Sequence, residues 1–163
     1  MIIKTFRTIE DCRDLENISK KAFGTTSDSN ISDWFSFKEM IKEIEQGRGV
    51  CLKAMSDDDK LLGFIYAQQE NPINGTEGLE KWVIVIIAVD PLFSRQGIGS
   101  SLIREIEKQA ITYKAKKIFV YTNKGDDKVV RFYIKNGYSD AGWIKDYQYG
   151  ENNSAVFLLK KLQ

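Results

Sequence analysis

Apolar residues recur along the chain in two rhythms, and the switches between them mark out the elements. Ile3 to Arg7 reads as an opening strand, and Thr8 followed three residues later by Asp11 is a loose capping pattern at the start of a helix. That helix is predicted to run to Phe23, with Leu15, Ile18 and Ala22 at helical spacing, and to stop at Gly24 and the polar run to Asn30. A second helix is predicted near Asp33, presenting Trp34, Phe37, Ile41 and Ile44 on one face until Gly47 and Gly49 break it. Val50–Met55 and Leu61–Gln68 then read as a hairpin across the acidic turn Ser56-Asp57-Asp58-Asp59.

After a loop at Asn71–Gly75 comes Trp82–Val89, an unbroken apolar run rich in β-branched residues, which predicts a strand covered on both faces. A helix from Gly97 to Tyr113 carries Ile98, Leu102, Ile106 and Ala110 in register. Lys117–Thr122 reads as a strand, Asp126–Asn136 as a short helix ending at Gly137, and Tyr138–Tyr147 and Ala155–Leu162 as terminal strands around the loop 150–153. The order β-α-α-β-β-β-α-β-α-β-β predicts an α/β fold, a mixed sheet flanked by helices. No repeat or linker interrupts it, so residues 1–163 are expected to form one domain.

Composition narrows the function classes. Twenty-four Lys and Arg balance 23 Asp and Glu, so no bulk field draws the chain to nucleic acid or an anionic membrane. The longest apolar run is far shorter than the roughly 20 residues a spanning helix needs, and the N-terminus lacks signal-peptide character. Cys12 and Cys51 match no zinc spacing and suggest reduced thiols. A soluble cytoplasmic protein without a metal is expected.

Chemistry concentrates where the apolar run Trp82–Val89 passes through Asp90-Pro91 and a glycine turn into the following helix. Unpaired N–H groups at a helix start, with glycines that admit close approach, make a phosphate site. A Walker A loop would need Lys and Ser or Thr after the second glycine, where Ser100-Ser101 stand, and a dinucleotide fingerprint would need glycine in place of Leu102. The simplest alternative is a tight strand-to-helix turn with no ligand.

The segment Ser94-Arg95-Gln96-Gly97-Ile98-Gly99 resembles the acetyl-CoA pyrophosphate loop of the GNAT N-acetyltransferase superfamily, with Ser94 where that pattern has Gln or Arg. Val129 to Tyr138, with Phe132-Tyr133 and Gly137-Tyr138, is similar to the second signature of the same family. The resemblance implies acetyl-CoA as cosubstrate and transfer of its acetyl group to a primary amine, of a small molecule or a protein, by direct attack. It implies coenzyme contacts from Ile87, Ala88 and Val89, of which the main chain also polarises the acetyl carbonyl. Further coenzyme contacts are implied from Arg95, Gln96, Gly97, Ile98, Gly99 and Ser100, and from Asn123, Asp126, Phe132 and Tyr133. Tyr133 is the implied general acid toward the departing thiolate, or else a core aromatic. Asp126 is a coenzyme contact or a helix cap. The chain has no histidine, so a carboxylate is the expected base, with Glu80 first and Glu77 second, or these are solvated surface charges.

Acceptor recognition is expected from residues 24–37, 71–80 and 143–153, which hold Trp34, Phe35, Trp143, Tyr147 and Tyr149. A non-catalytic acetyl-CoA sensor and a nucleotide-binding domain are the rival classes. Either a monomer or a homodimer is compatible with the pattern.

Overall fold

The computed structural model describes residues 1–6, 12–24, 31, 34–70, 77–148 and 153–163. Seven strands and four α-helices follow one another as β1 (Ile2–Thr5), α1 (Cys12–Phe23), α2 (Phe37–Glu45), β2 (Gly49–Met55), β3 (Leu61–Gln69), β4 (Lys81–Val89), α3 (Ile98–Thr112), β5 (Lys117–Asn123), α4 (Asp127–Lys135), β6 (Ser139–Ile144) and β7 (Ala155–Lys161). Hydrogen-bonded neighbours run β1-β2-β3-β4-β5-β7-β6. β4 and β5 are parallel, whereas β1 with β2, β2 with β3, β5 with β7 and β6 with β7 are antiparallel. The mixed sheet expected from the element order is present. The proposed cap at Thr8 and the loops at 71–75 and 150–152 lie outside the described residues.

Two compact units share the chain. The first holds Met1–Gln68 and Val85–Gln109. Its core joins Leu15 and Ile18 of α1, Met40 of α2, Cys51, Phe64 and Tyr66 of the β2–β3 hairpin, and Ile86 and Ala88 of β4. α2 begins three residues later than Trp34 because Ser36 caps it, its hydroxyl accepting the Glu39 N–H at 3.3 Å. Trp34 precedes the helix and is exposed. The stripe Ile98, Leu102 and Ile106 of α3 is buried throughout. Gly63 of β3 meets β4 so closely that a Cβ there would stand 2.7 Å from the Ala88 carbonyl oxygen, so only a glycine keeps this approach.

The second unit holds Gln69–Ile84 and Ala110–Gln163. Ile118 and Val120 of β5, Ala155, Val156 and Leu158 of β7, and Tyr133 and Tyr138 fill its interior. α4 is stopped by Gly137 at φ +89°, where the Tyr138 N–H donates to the Tyr133 carbonyl at 3.1 Å. β6 is shorter than the ten residues predicted, because the turn at Asp146, with φ +50°, ends it; a bulge between Asp140 and Gly142 lies within the strand.

The expectation that β4 is covered on both faces needs correction. Trp82, Ile84, Ile86 and Ala88 are buried, whereas Val83, Val85, Ile87 and Val89 are only half-buried. No helix among the described residues is long and apolar enough to cross a membrane.

Candidate active site

In the first unit, the turn after β4 is built by Asp90. Its main-chain N–H donates to the Leu62 carbonyl at 2.8 Å, tying the end of β4 to β3. Its carboxylate accepts the Leu92 N–H at 3.0 Å and so caps the short 3₁₀ turn Pro91–Phe93, with Pro91 supplying a preset φ. The same carboxylate accepts from Lys21 Nζ of α1, also at 3.0 Å. Burial of Asp90 pushes its carboxyl up, but the Leu92 N–H, the Lys21 ammonium and the more distant Lys60 outweigh this and hold it below the ordinary carboxylate range.

The chain then reverses through two residues with positive φ, Arg95 at +62° and Gly97 at +79°. For Gly97 this conformation is nearly free, whereas for Arg95 it is strained. Gly97 caps α3, because its carbonyl accepts the Ser101 N–H at 3.0 Å. The N–H groups of Ile98, Gly99 and Ser100 therefore have no acceptor within the helix. Ile98 is buried, Gly99 and Ser100 are half-buried, and Arg95, Gln96 and Gly97 are exposed. Three convergent N–H groups at the positive end of a helix dipole fit a diphosphate. The donor set expected from Gly97, Ile98, Gly99 and Ser100 is brought together.

In the second unit, Asn123 ends β5 and Asp126 caps α4, its carboxylate accepting the Val129 N–H at 3.1 Å. The capping reading of Asp126 is thus realised. Phe132 is half-buried, and Tyr133, at 2% exposure, is in edge contact with Phe132 (5.2 Å) and Tyr138 (5.3 Å). Burial pushes the Tyr133 phenol well up, so its proton is retained across the physiological range.

Glu80 lies in the 3₁₀ turn just before β4, with the nine residues of that strand between it and the turn at Asp90. Its carboxylate is paired with the Lys116 ammonium and is 44% exposed, and its carbonyl accepts the Lys116 N–H. The side chain of Glu77 lies outside the described part. Of the aromatic residues set aside for the acceptor, Phe35 is core, whereas Trp34, Trp143 and Tyr147 are exposed and Tyr149 is not described. Among the described residues no three His, Cys, Asp or Glu side chains gather as a metal site.

The family model for the Acetyltransferase (GNAT) family matches residues 9–138, which include both the glycine turn and Tyr133. The chain belongs to the GNAT acetyltransferase family. As a member it is an acetyl-CoA-dependent N-acetyltransferase, and acetyl-CoA is its cosubstrate. Solved structures share the fold across the whole chain. An aminoglycoside 6'-N-acetyltransferase complexed with coenzyme A is 19% identical with a TM-score of 0.76, over 100% of this chain and 98% of that one. The ribosomal-protein-S18-alanine N-acetyltransferase from Escherichia coli is 16% identical with a TM-score of 0.76, over 99% and 94%. A putative GNAT acetyltransferase from Desulfovibrio desulfuricans is 16% identical with a TM-score of 0.80, over 99% of each chain. No curated protein matches the chain in sequence.

Sequence reasoning missed Asp90 and Lys21. Asp90-Pro91 directly after a strand is itself a turn and cap signal, and it was the one clue available. Lys21 lies 69 residues away and carried none.

Proposed function

We propose that this GNAT member acetylates a primary amine by direct attack on acetyl-CoA, with the N–H groups of Ile98, Gly99 and Ser100 taking the pyrophosphate and Tyr133 acting as general acid. The observation that carries the reading is the α3 start, where three main-chain donors lack a helical acceptor beside a glycine at positive φ. Bound acetyl-CoA supplies an activated thioester. Arg95 and Gln96 are exposed on the same turn, within the coenzyme's binding segment, and the main chain of Ile87–Val89 is the proposed donor to the acetyl oxygen.

Tyr133 holds its proton because it is buried, which also makes it a weaker acid than a phenol in water. Transfer to sulfur becomes favourable as the C–S bond breaks, since a thiolate is likewise disfavoured in a dry site. Asn123 and Asp126 precede the helix that carries Tyr133, Phe132 lies on it next to Tyr133, and all three are proposed as coenzyme contacts. An amine nucleophile must lose a proton, and Glu80 is the proposed acceptor, directly or through water. Its carboxylate is partly exposed beside the Lys116 ammonium.

The acceptor is proposed to be a primary amine of a small molecule or a protein, a range that fits the aminoglycoside 6'-N-acetyltransferase and the ribosomal-protein-S18-alanine N-acetyltransferase that share the fold. Release of free thiol from acetyl-CoA across a panel of such amines tests the reading. An amine that accelerates release over buffer supports it. Tight coenzyme binding with no acceleration by any amine in the panel would instead favour a sensor.

A further inference from the structure

The turn that leads from β4 to the donors of α3 has little packing of its own. From Pro91 to Gly97 every residue is exposed except the half-buried Phe93, and Leu92 is 77% exposed. Arg95 within it keeps φ +62°, a conformation that a side chain holds only where its surroundings fix it from several directions. Two main-chain hydrogen bonds close the first half, from the Phe93 N–H to the Asp90 carbonyl at 2.8 Å and from the Ser94 N–H to the Pro91 carbonyl at 3.2 Å. The Phe93 ring also lies under the Lys60 ammonium, 4.6 Å from its centroid.

The buried anchor of this turn is Asp90, and its two oxygens are divided. Oδ1 accepts the Leu92 N–H and Oδ2 accepts from Lys21 Nζ, each at 3.0 Å. A buried carboxylate deprived of its cation is costly and swings toward water or another donor. Without Lys21 that swing would drag the turn, because the same carboxylate holds Leu92. Lys21 stands in the last turn of α1, in the same compact unit, where the helix dipole favours a cation. Leu15 and Ile18 fix α1 in the core, so the ammonium is presented from a rigid mount.

We propose that Lys21 is a positioning residue for the coenzyme: through Asp90 it holds the turn 91–97 in the shape in which the N–H groups of Ile98, Gly99 and Ser100 receive the diphosphate. The inference rests on the reading that these donors bind acetyl-CoA, and adds a residue that acts on them at one remove. A turn already in its binding shape spares the coenzyme the cost of ordering it. The pair therefore serves capture of the coenzyme and not the transfer step.

The test is calorimetry with coenzyme A on the wild type, Lys21→Met, Lys21→Arg, Lys20→Met, Asp90→Asn and the double variant Lys21→Met/Asp90→Asn, each well below its melting temperature. Lys21→Met should weaken binding about three- to tenfold, and Lys21→Arg should keep most of the affinity. Lys20→Met removes the same charge from the exposed neighbouring position and should bind as the wild type does, which separates the anchor from general attraction of an anion. On the Asp90→Asn background, where no buried charge awaits a partner, Lys21→Met should change affinity by less than about twofold. In turnover with an accepted amine, Lys21→Met should raise KM for acetyl-CoA and leave kcat unchanged. Wild-type affinity in Lys21→Met overturns the proposal and leaves the acetyl-CoA reading intact. So does an equal loss in Lys20→Met, or the same loss from Lys21→Met with and without Asp90→Asn. A wild-type chain that binds no coenzyme overturns both readings together.

Discussion

Replacing Asp90 by Asn separates the two jobs of its carboxylate. The side chain is 2% exposed and accepts from the Leu92 N–H and from Lys21, each at 3.0 Å. Asparagine keeps a neutral oxygen for Leu92 but loses the ionic bond to Lys21. Because Lys21 is 54% exposed, that bond is partly screened, and its loss should cost about 1–2 kcal/mol. Alanine removes the cap as well, for a total of about 3 kcal/mol. At about 3 °C per kcal/mol for a chain of this length, melting should fall by roughly 3–6 °C for Asn and about 9 °C for Ala.

Acid gives the sharper check. The folded carboxyl is held below its ordinary value near 3.8, so in the unfolded chain it binds protons first as pH falls. The charge-dependent stability is therefore fully present above about pH 5 and drains away below it. The gap between wild type and Asp90→Asn in thermal or urea melts should stay constant from pH 8 to 5 and narrow toward pH 3. A gap that is absent at pH 7, or that persists undiminished at pH 3, would refute the assigned role of the Lys21 ion pair.

Tyr133→Phe should leave acetyl-CoA affinity within about threefold of the wild type and lower kcat by about a hundredfold, as expected for a lost general acid; unchanged turnover across pH would remove the role. Gly97→Ala forces a side chain into φ +79°, where a Cβ meets no neighbour, so a loss of about 1 kcal/mol should come from backbone strain alone, read by urea melts, together with weaker coenzyme binding. Gly63→Ala places a Cβ 2.7 Å from the Ala88 carbonyl oxygen and should cost more, about 2–3 kcal/mol, in the same melts. Glu80→Gln should lower kcat with little effect on coenzyme affinity measured by calorimetry, and an unchanged kcat would leave Glu80 as a surface partner of Lys116.

Much of the fold was legible because its elements announce themselves locally. The α3 stripe of Ile98, Leu102, Ile106 and Ala110 is buried as its spacing demanded, and the β2–β3 hairpin pairs across the acidic turn. The errors arose where two local signals competed. Near α2 the apolar spacing drew Trp34 into the helix, but Ser36 and Glu39 form the stronger start signal. In β6 the residue types suit a strand as far as Tyr147, yet Asp146 at φ +50° turns the chain out of it after Ile144. β4 looked uniformly covered because every residue of it after Lys81 is apolar, and composition cannot say how far each face is closed.

The site divides in the same way. Gly97 and the first turn of α3 were readable, since a glycine, a helix start and a preceding strand lie within a few residues. The pairing of Asp90 with Lys21 and of Glu80 with Lys116 was not, because each joins residues 69 and 36 positions apart that only the folded chain brings together. Asp126 lay between, since the same short side chain serves as a cap or as a ligand contact, and the Val129 N–H shows the cap.

The central claim is that the main-chain N–H groups at the start of α3 hold the coenzyme's diphosphate. The most direct measurement is the amide nuclear magnetic resonance spectrum of the nitrogen-15-labelled chain during titration with acetyl-CoA. The account predicts saturable shifts at Ile98, Gly99 and Ser100, among the largest in the chain. Saturable binding that leaves these three amides unmoved would contradict it.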